Sequence, residues 1–277
     1  MFAEIFLLTL ALIWILFATI QDLKIREVAN WLNFSLIIFA LGFRFFYSFF
    51  AQTNFAFFYQ GLIGFVLFFI FGNIFYYSRL FAGGDAKLFM ALGAILPLHT
   101  TLIENIRLFL NFFLIFLFIG AIYGLIWSTV LFIRNRKIFR KKFDFLFNKN
   151  RKMVYIGMAL GIIIMVLSFY QQLFFFLGIF IFILPFLFLY AKAIDESCMV
   201  RKVKTNDLRE GDWLCSNIKI GKKLIKAKWE GLTEKEIILL KKKKKFVLIK
   251  QGIPFVPVFL ITFILFILSY YLGYSFW

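Results

Sequence analysis

Long apolar runs separated by short polar breaks make up most of the first 191 residues and return at the end of the chain. Eight such stretches can be marked, at roughly residues 3–20, 31–50, 55–78, 86–97, 106–133, 153–169, 173–191 and 254–273. As helices, most are long enough to cross about 30 Å of hydrocarbon. The fourth is short. Its flanks, Gly93, Pro97 and the Leu98-His99 turn, predict a helix that starts or ends inside the interface, where protein or water must cover its open ends. Glu4 stands where a cleavable signal peptide carries basic residues, so the first stretch reads as a permanent anchor.

Between the seventh and eighth stretches the pattern changes. In "TEKE" at 233–236, Thr233 and Glu236 have the spacing of a capping box, which predicts a short helix from 234 into the lysines at 241–245. Upstream, "WLCSNIKIGKKLIKAKW" alternates apolar and polar positions around Gly221, the pattern of a hairpin, and "FVLIK" downstream reads as a third strand. The expected fold is therefore an all-α polytopic membrane protein of about eight transmembrane helices, with a small α+β cytoplasmic domain before the last helix. Residues 1–191 form the bundle, 192–250 the small basic domain and 251–277 the last span. So short a segment buries little core, and it is expected to lean on the membrane or the bundle.

Composition removes the soluble alternatives. The chain of 277 residues is 63% hydrophobic, includes 44 Phe and has a mean hydropathy of +0.89, far outside the range of a soluble globular domain. Its net charge of +18 then orients it. Of 32 Lys and Arg, only Arg44 and Arg107 fall within spans; the rest lie in or beside the loops after spans one, three, five and seven. The loops around 51–54, 98–104 and 170–172 and the tail after 273 carry none. By the positive-inside rule the basic loops are cytoplasmic and both termini are outside. Anionic lipid headgroups are the expected partners of the lysines. Nucleic acid is not an expected partner, because the basic residues border spans and form no aromatic-studded face.

Candidate chemistry is reached by elimination. Cys198 and Cys215 form no C-x-x-C pair, and His99 is the only histidine, so neither a zinc site nor a His-dependent triad has its residues. No glycine-rich phosphate loop is present. No metal or cofactor is expected. Of the 14 acids, most lie among the basic cytoplasmic residues, and Glu4 and Glu104 lie at the outer interface. Asp22 and Asp85 remain.

Asp22 ends the first span in "QDLKIREVANWLNF", where the negative end of a helix dipole mildly disfavours it; taken alone it is a juxtamembrane acid pairing with Lys24 or Arg26. Asp85 opens the fourth stretch in "FAGGDAK", where taken alone it is an N-cap with glycines for a sharp entry. The alternating topology places both at the same cytoplasmic depth. Paired carboxylates share a proton and can act together as general base and general acid. The glycines at 83 and 84 would let a substrate backbone approach Asp85.

These two segments resemble the paired motifs of the archaeal preflagellin and prepilin peptidases, membrane aspartyl proteases with a G-x-G-D motif and a second Asp after the first helix. Asp22, Lys24, Arg26, Val28 and Asn30 match the first pattern in order, and Gly84, Asp85 and Lys87 match the second. Ala82 stands in place of the first motif glycine, with Gly83 beside it. "LREGDWL", "GLTEKEI" and "GIPFVP" resemble the carboxy-terminal region of archaeal members. The resemblance implies that Asp22 and Asp85 are catalytic and that Gly83, Gly84, Lys24, Arg26, Asn30 and Lys87 support them. It also implies that class III signal peptides of archaellin and pilin precursors are cut at the cytoplasmic face. Bacterial relatives often carry a cysteine-rich amino-terminal domain and methylate the new terminus; this chain starts at its first span, and protease activity without methylation is expected. An ion or solute transporter would need ionisable groups nearer the bilayer centre. An inactive scaffold would not need the aspartate pair.

Overall fold

The computed structural model describes residues 2–50, 55–220 and 223–273, and most of them are helical. The loop at 51–54, the turn at Gly221 and the tail after 273 lie outside the described residues. Among the described residues ten α-helices follow one another: α1 (Phe2–Ile25), α2 (Asn30–Phe50), α3 (Ala56–Tyr77), α4 (Gly83–Gly93), α5 (Leu102–Arg134), α6 (Arg136–Lys149), α7 (Arg151–Val166), α8 (Leu173–Ala193), α9 (Glu234–Lys243) and α10 (Val256–Tyr271). Six helical segments, built on α1, α2, α3, α5, α7 and α8, are long and apolar enough to cross a membrane, so this is a multi-pass membrane protein. α10 is shorter but equally apolar, and α4 has 11 residues. Many of their large apolar side chains are exposed, among them Ile38, Phe46, Ile70, Leu125 and Phe176, as expected for helices solvated by lipid tails.

By backbone contacts the chain forms two compact units, residues 1–124 with 253–277, and residues 125–252. The first unit holds α1 to α4, most of α5, and α10. Its core is built from Leu7, Ile15, Leu36, Phe89, Leu92, Phe112, Phe259 and Phe263, all buried. α3 and α4 pack backbone to backbone, because a Cβ at Gly64 would collide with the Gly93 carbonyl and a Cβ at Gly93 with the Phe68 side chain. In membranes such small-residue contacts carry helix association that hydrophobicity cannot drive.

Arg44 of α2 is fully buried in this unit. Its guanidinium donates to the carbonyls of Ala94 (2.9 Å), Ile95 (3.1 Å) and Phe57 (2.9 Å), and also to that of Pro97. Its Cζ lies 4.4 Å from the centre of the Phe57 ring. Three of those carbonyls belong to the non-helical turns that follow α4. The apolar stretch 86–97 is therefore helical only to Gly93, and the arginine satisfies the open end that the sequence left without a partner.

The second unit holds the end of α5, then α6 to α9 and the strands. α7 and α8 form a tight antiparallel pair, with Gly161 so close to Phe182 that an added Cβ would lie 2.7 Å from its Cα. Residues 134–152, read from the sequence only as a basic loop, contain the 14-residue helix α6. The expected capping box is present: the Thr233 backbone N–H donates to Glu236 Oε2 at 2.9 Å, and α9 follows it into the lysines.

The expected hairpin and the expected third strand are both present, but they belong to separate sheets. β3 (Ile218–Ile220) and β4 (Lys223–Ile225) pair as the hairpin. β5 (Phe246–Lys250) instead lies between β1 (Val200–Lys204) and β2 (Trp213–Leu214) in a separate antiparallel sheet of order β1-β5-β2. Val247 and Ile249 are the buried positions of β5 and join Leu208, Leu214, Ile225, Leu232, Ile237 and Leu240 in one small core. Central placement suits β5, whose alternation was legible; β1, "VRKVK", carries its pairing partner under a charged pattern that hid it.

Candidate active site

Both aspartates fall in the first unit, on segments that meet. Asp22 lies in the last turn of α1 and is buried. α1 ends because Arg26 takes a left-handed conformation (φ 58°), its N–H still bonded to the Asp22 carbonyl at 2.8 Å. The chain then turns through 27–29, where the Ala29 N–H donates to Gln21 Oε1 at 3.1 Å, and enters α2 at Asn30. The Asp22 carboxylate faces α10: its Oδ2 accepts the Val256 N–H at 2.9 Å. Val256 is the first residue of α10, so an open helix N-terminus meets the acid. The unfavourable dipole of α1 is thus opposed by the favourable one of α10.

Asp85 is the third residue of α4, whose N-cap is Ala82 with extended backbone (ψ 164°). Asp85 is therefore not the N-cap; it sits one turn on, where its carboxylate reaches back to the Ala82 backbone and the Ala86 N–H bonds to the Ala82 carbonyl at 3.0 Å. Asp85 is half-buried and lies close enough to Asp22 for the two charges to repel one another. Arg26 in turn acts electrostatically on Asp22.

The remaining motif residues stitch the α1–α2 connection to the start of α4. A Cβ at Gly84 would lie 3.4 Å from Val28 Cβ, whereas at Gly83 it would meet only Tyr76, at 3.8 Å. Neither glycine has positive φ, so their service here is proximity, and it is strongest at Gly84. Lys87 Nζ donates to Asn30 Oδ1 at 2.6 Å. Lys24 is exposed on the last turn of α1. Two groups not singled out from the sequence also line this junction. Asn33, fully buried one turn into α2, directs Nδ2 to the Gly84 carbonyl at 3.4 Å, and its Oδ1 has no protein partner. The other is the Val256 N–H. Asn33 had a weak sequence signal, as a polar residue in an apolar run; the Val256 N–H had none, being a main-chain group 234 residues from Asp22. Among the described residues no three His, Cys, Asp or Glu side chains gather as a metal site, and Cys198 and Cys215 are free thiols.

Residues 9–128, which include Asp22, Asp85 and every matched motif position, fit the model of the type IV leader peptidase family, Peptidase_A24. Among curated proteins the chain is similar to a preflagellin peptidase of Methanocaldococcus jannaschii, 33% identical over 130 residues, 44% of this chain and 55% of that protein. The chain thus spans about half the length of the curated relative it matches. No solved structure matches it significantly.

Proposed function

We propose that this protein is a membrane-embedded aspartic endopeptidase that removes class III signal peptides from archaellin or pilin precursors. One observation carries the reading: Asp22 and Asp85, 63 residues apart in sequence, converge in a unit that fits the leader peptidase family. The preflagellin peptidase it resembles supports the substrate class.

In the proposed reaction one carboxylate is ionised and the other protonated. The ionised group takes a proton from water as the water oxygen attacks the scissile peptide carbonyl. The protonated group donates a hydrogen bond to that carbonyl and then gives its proton to the departing nitrogen. The Val256 N–H holds Asp22 in place, and Gly84, with Asn33 on its carbonyl, holds the backbone of Asp85 against Val28. A charge left on the acid next to the other is costly, so the pair works with one shared proton.

We read α4 and α10, beside the six long helices, as the remaining two of eight membrane segments; on that reading the loop charges support a cytoplasmic position for the aspartates, where the junction of leader and hydrophobic segment of a membrane-bound precursor would lie. Archaellin and pilin precursors incubated with membranes containing the chain should be cut just before their hydrophobic segment, with the new amino termini read by mass spectrometry. Asp22→Asn and Asp85→Asn should each abolish the cut while leaving insertion normal. Cleavage surviving in either variant overturns the assignment.

A further inference from the structure

We propose that α6 is an interfacial helix that binds anionic phospholipid headgroups; this rests on the second unit alone and not on the protease reading.

Its position follows from the lengths of its neighbours. The segment from α7 through Phe169 has 19 residues, only about enough to cross the hydrocarbon, so Arg151 must already stand at the membrane surface. α5 reaches its first basic residue since Arg107 at Arg134. Single residues, Asn135 and Asn150, join α6 to these two helices, each directing Nδ2 back to the carbonyl of Leu131 or Leu146. Both ends of a helix about 21 Å long are thereby held at one surface, and it lies along that surface.

Its sequence, "RKIFRKKFDFLFNK", suits that place. One face is used by the protein: Phe139 and Leu146 are buried, with the Phe139 ring 4.9 Å from that of Phe132 and 5.4 Å from that of Tyr190. Lys142 pairs with Glu196 at 2.9 Å. The flank beside this face is not covered by protein. Ile138 and Phe145, seven residues apart and so on one line, are 58% and 57% exposed. Lys141 and Lys149 border them, and Arg136, Lys137 and Arg140 are exposed on the remaining surface, where Asp144 is the only acid. Two apolar side chains ringed by long basic ones form the pattern of a helix lying in the headgroup layer, with Ile138 and Phe145 in the acyl boundary and the lysines extended to phosphate. Each basic group near an anionic surface strengthens binding several-fold, and added salt screens it. An acidic protein would match the charge but not the apolar line, which favours the lipid.

The test uses the full chain, purified and delipidated. Phosphatidylglycerol or phosphatidylcholine is titrated into it, and bound lipid is counted by native mass spectrometry. Wild type should retain phosphatidylglycerol preferentially, with the preference falling as salt rises. The variant Lys137→Gln/Arg140→Gln/Lys141→Gln/Lys149→Gln should bind phosphatidylglycerol roughly tenfold or more weakly. Ile138→Ser/Phe145→Ser, which keeps every charge, should also weaken retention. A control neutralising Lys241 to Lys245 should leave both unchanged. Equal retention by wild type and the four-charge variant, or loss only in the Lys241 to Lys245 control, overturns the proposal. Selective capture of an acidic protein with no lipid preference overturns it as well.

Discussion

Asp22 ends α1 in a position that a helix dipole disfavours, yet it is buried and held. What makes it tenable is the Val256 N–H at 2.9 Å, the first free donor of another helix. The adjacent glycines separate in the same way once neighbours are visible. Gly84 is pressed on Val28 and Gly83 faces open space but for Tyr76, although the pair reads alike in sequence. Gly84→Val should push α4 away from the α1–α2 connection and displace Asp85; a shift of about 1 Å can cost roughly a hundredfold in rate. Cleavage kinetics on a precursor should show that loss for Gly84→Val and near wild-type turnover for Gly83→Ala. Equal damage from the two would assign the glycines a turn role. Ala82, at the place of the first motif glycine, has ordinary extended backbone (φ −71°, ψ 164°), so an alanine is sterically at ease there.

At the scale of elements, α4 is the piece that sets Asp85. It has only 11 residues, its flank is locked to α3 through Gly64 and Gly93, and its far end is closed by Arg44. An arginine buried in so apolar a unit is tolerated because four carbonyls surround it, three of them in the turns after α4, where no helical amide reaches them. Arg44→Met should therefore destabilise the protein by about 3–5 kcal/mol. Arg44→Lys, with fewer donors and no fork, should recover part of that. Thermal unfolding in detergent measures both. A methionine variant as stable as wild type would mean that water satisfies the turn carbonyls instead.

For the whole molecule, the sorting of 30 basic residues to alternate loops predicts sidedness. In a chain lacking Cys198 and Cys215, a cysteine at His99 should react with an impermeant maleimide added outside the cell. One at Lys141 should react only after the membrane is opened. Labelling of Lys141→Cys from outside would reverse the topology and move the aspartates to the outer face. The membrane class, the length of the six long helices, the capping box at Thr233 and the two candidate acids were all legible in the sequence, because each rests on local composition or spacing. Residues 134–152 were read as loop since their charges masked the alternate apolar line of α6. The sheet order was not legible because 41 residues separate β1 from β5 and nothing local in β1 signals the pairing.

The sequence by itself determined that this chain lives in a membrane, which side its charges favour, and that Asp22 and Asp85 are the acids set apart from the charged loops. Those are consequences of hydropathy, of the positive-inside rule and of motif spacing, which act within one segment at a time. Only the tertiary structure decided that the two acids come within electrostatic reach of one another, that α10 supplies the donor to Asp22, and that Arg44 closes the end of α4. Each of these joins groups remote in the chain, often through main-chain atoms common to every residue, and such pairings leave no trace in side-chain pattern.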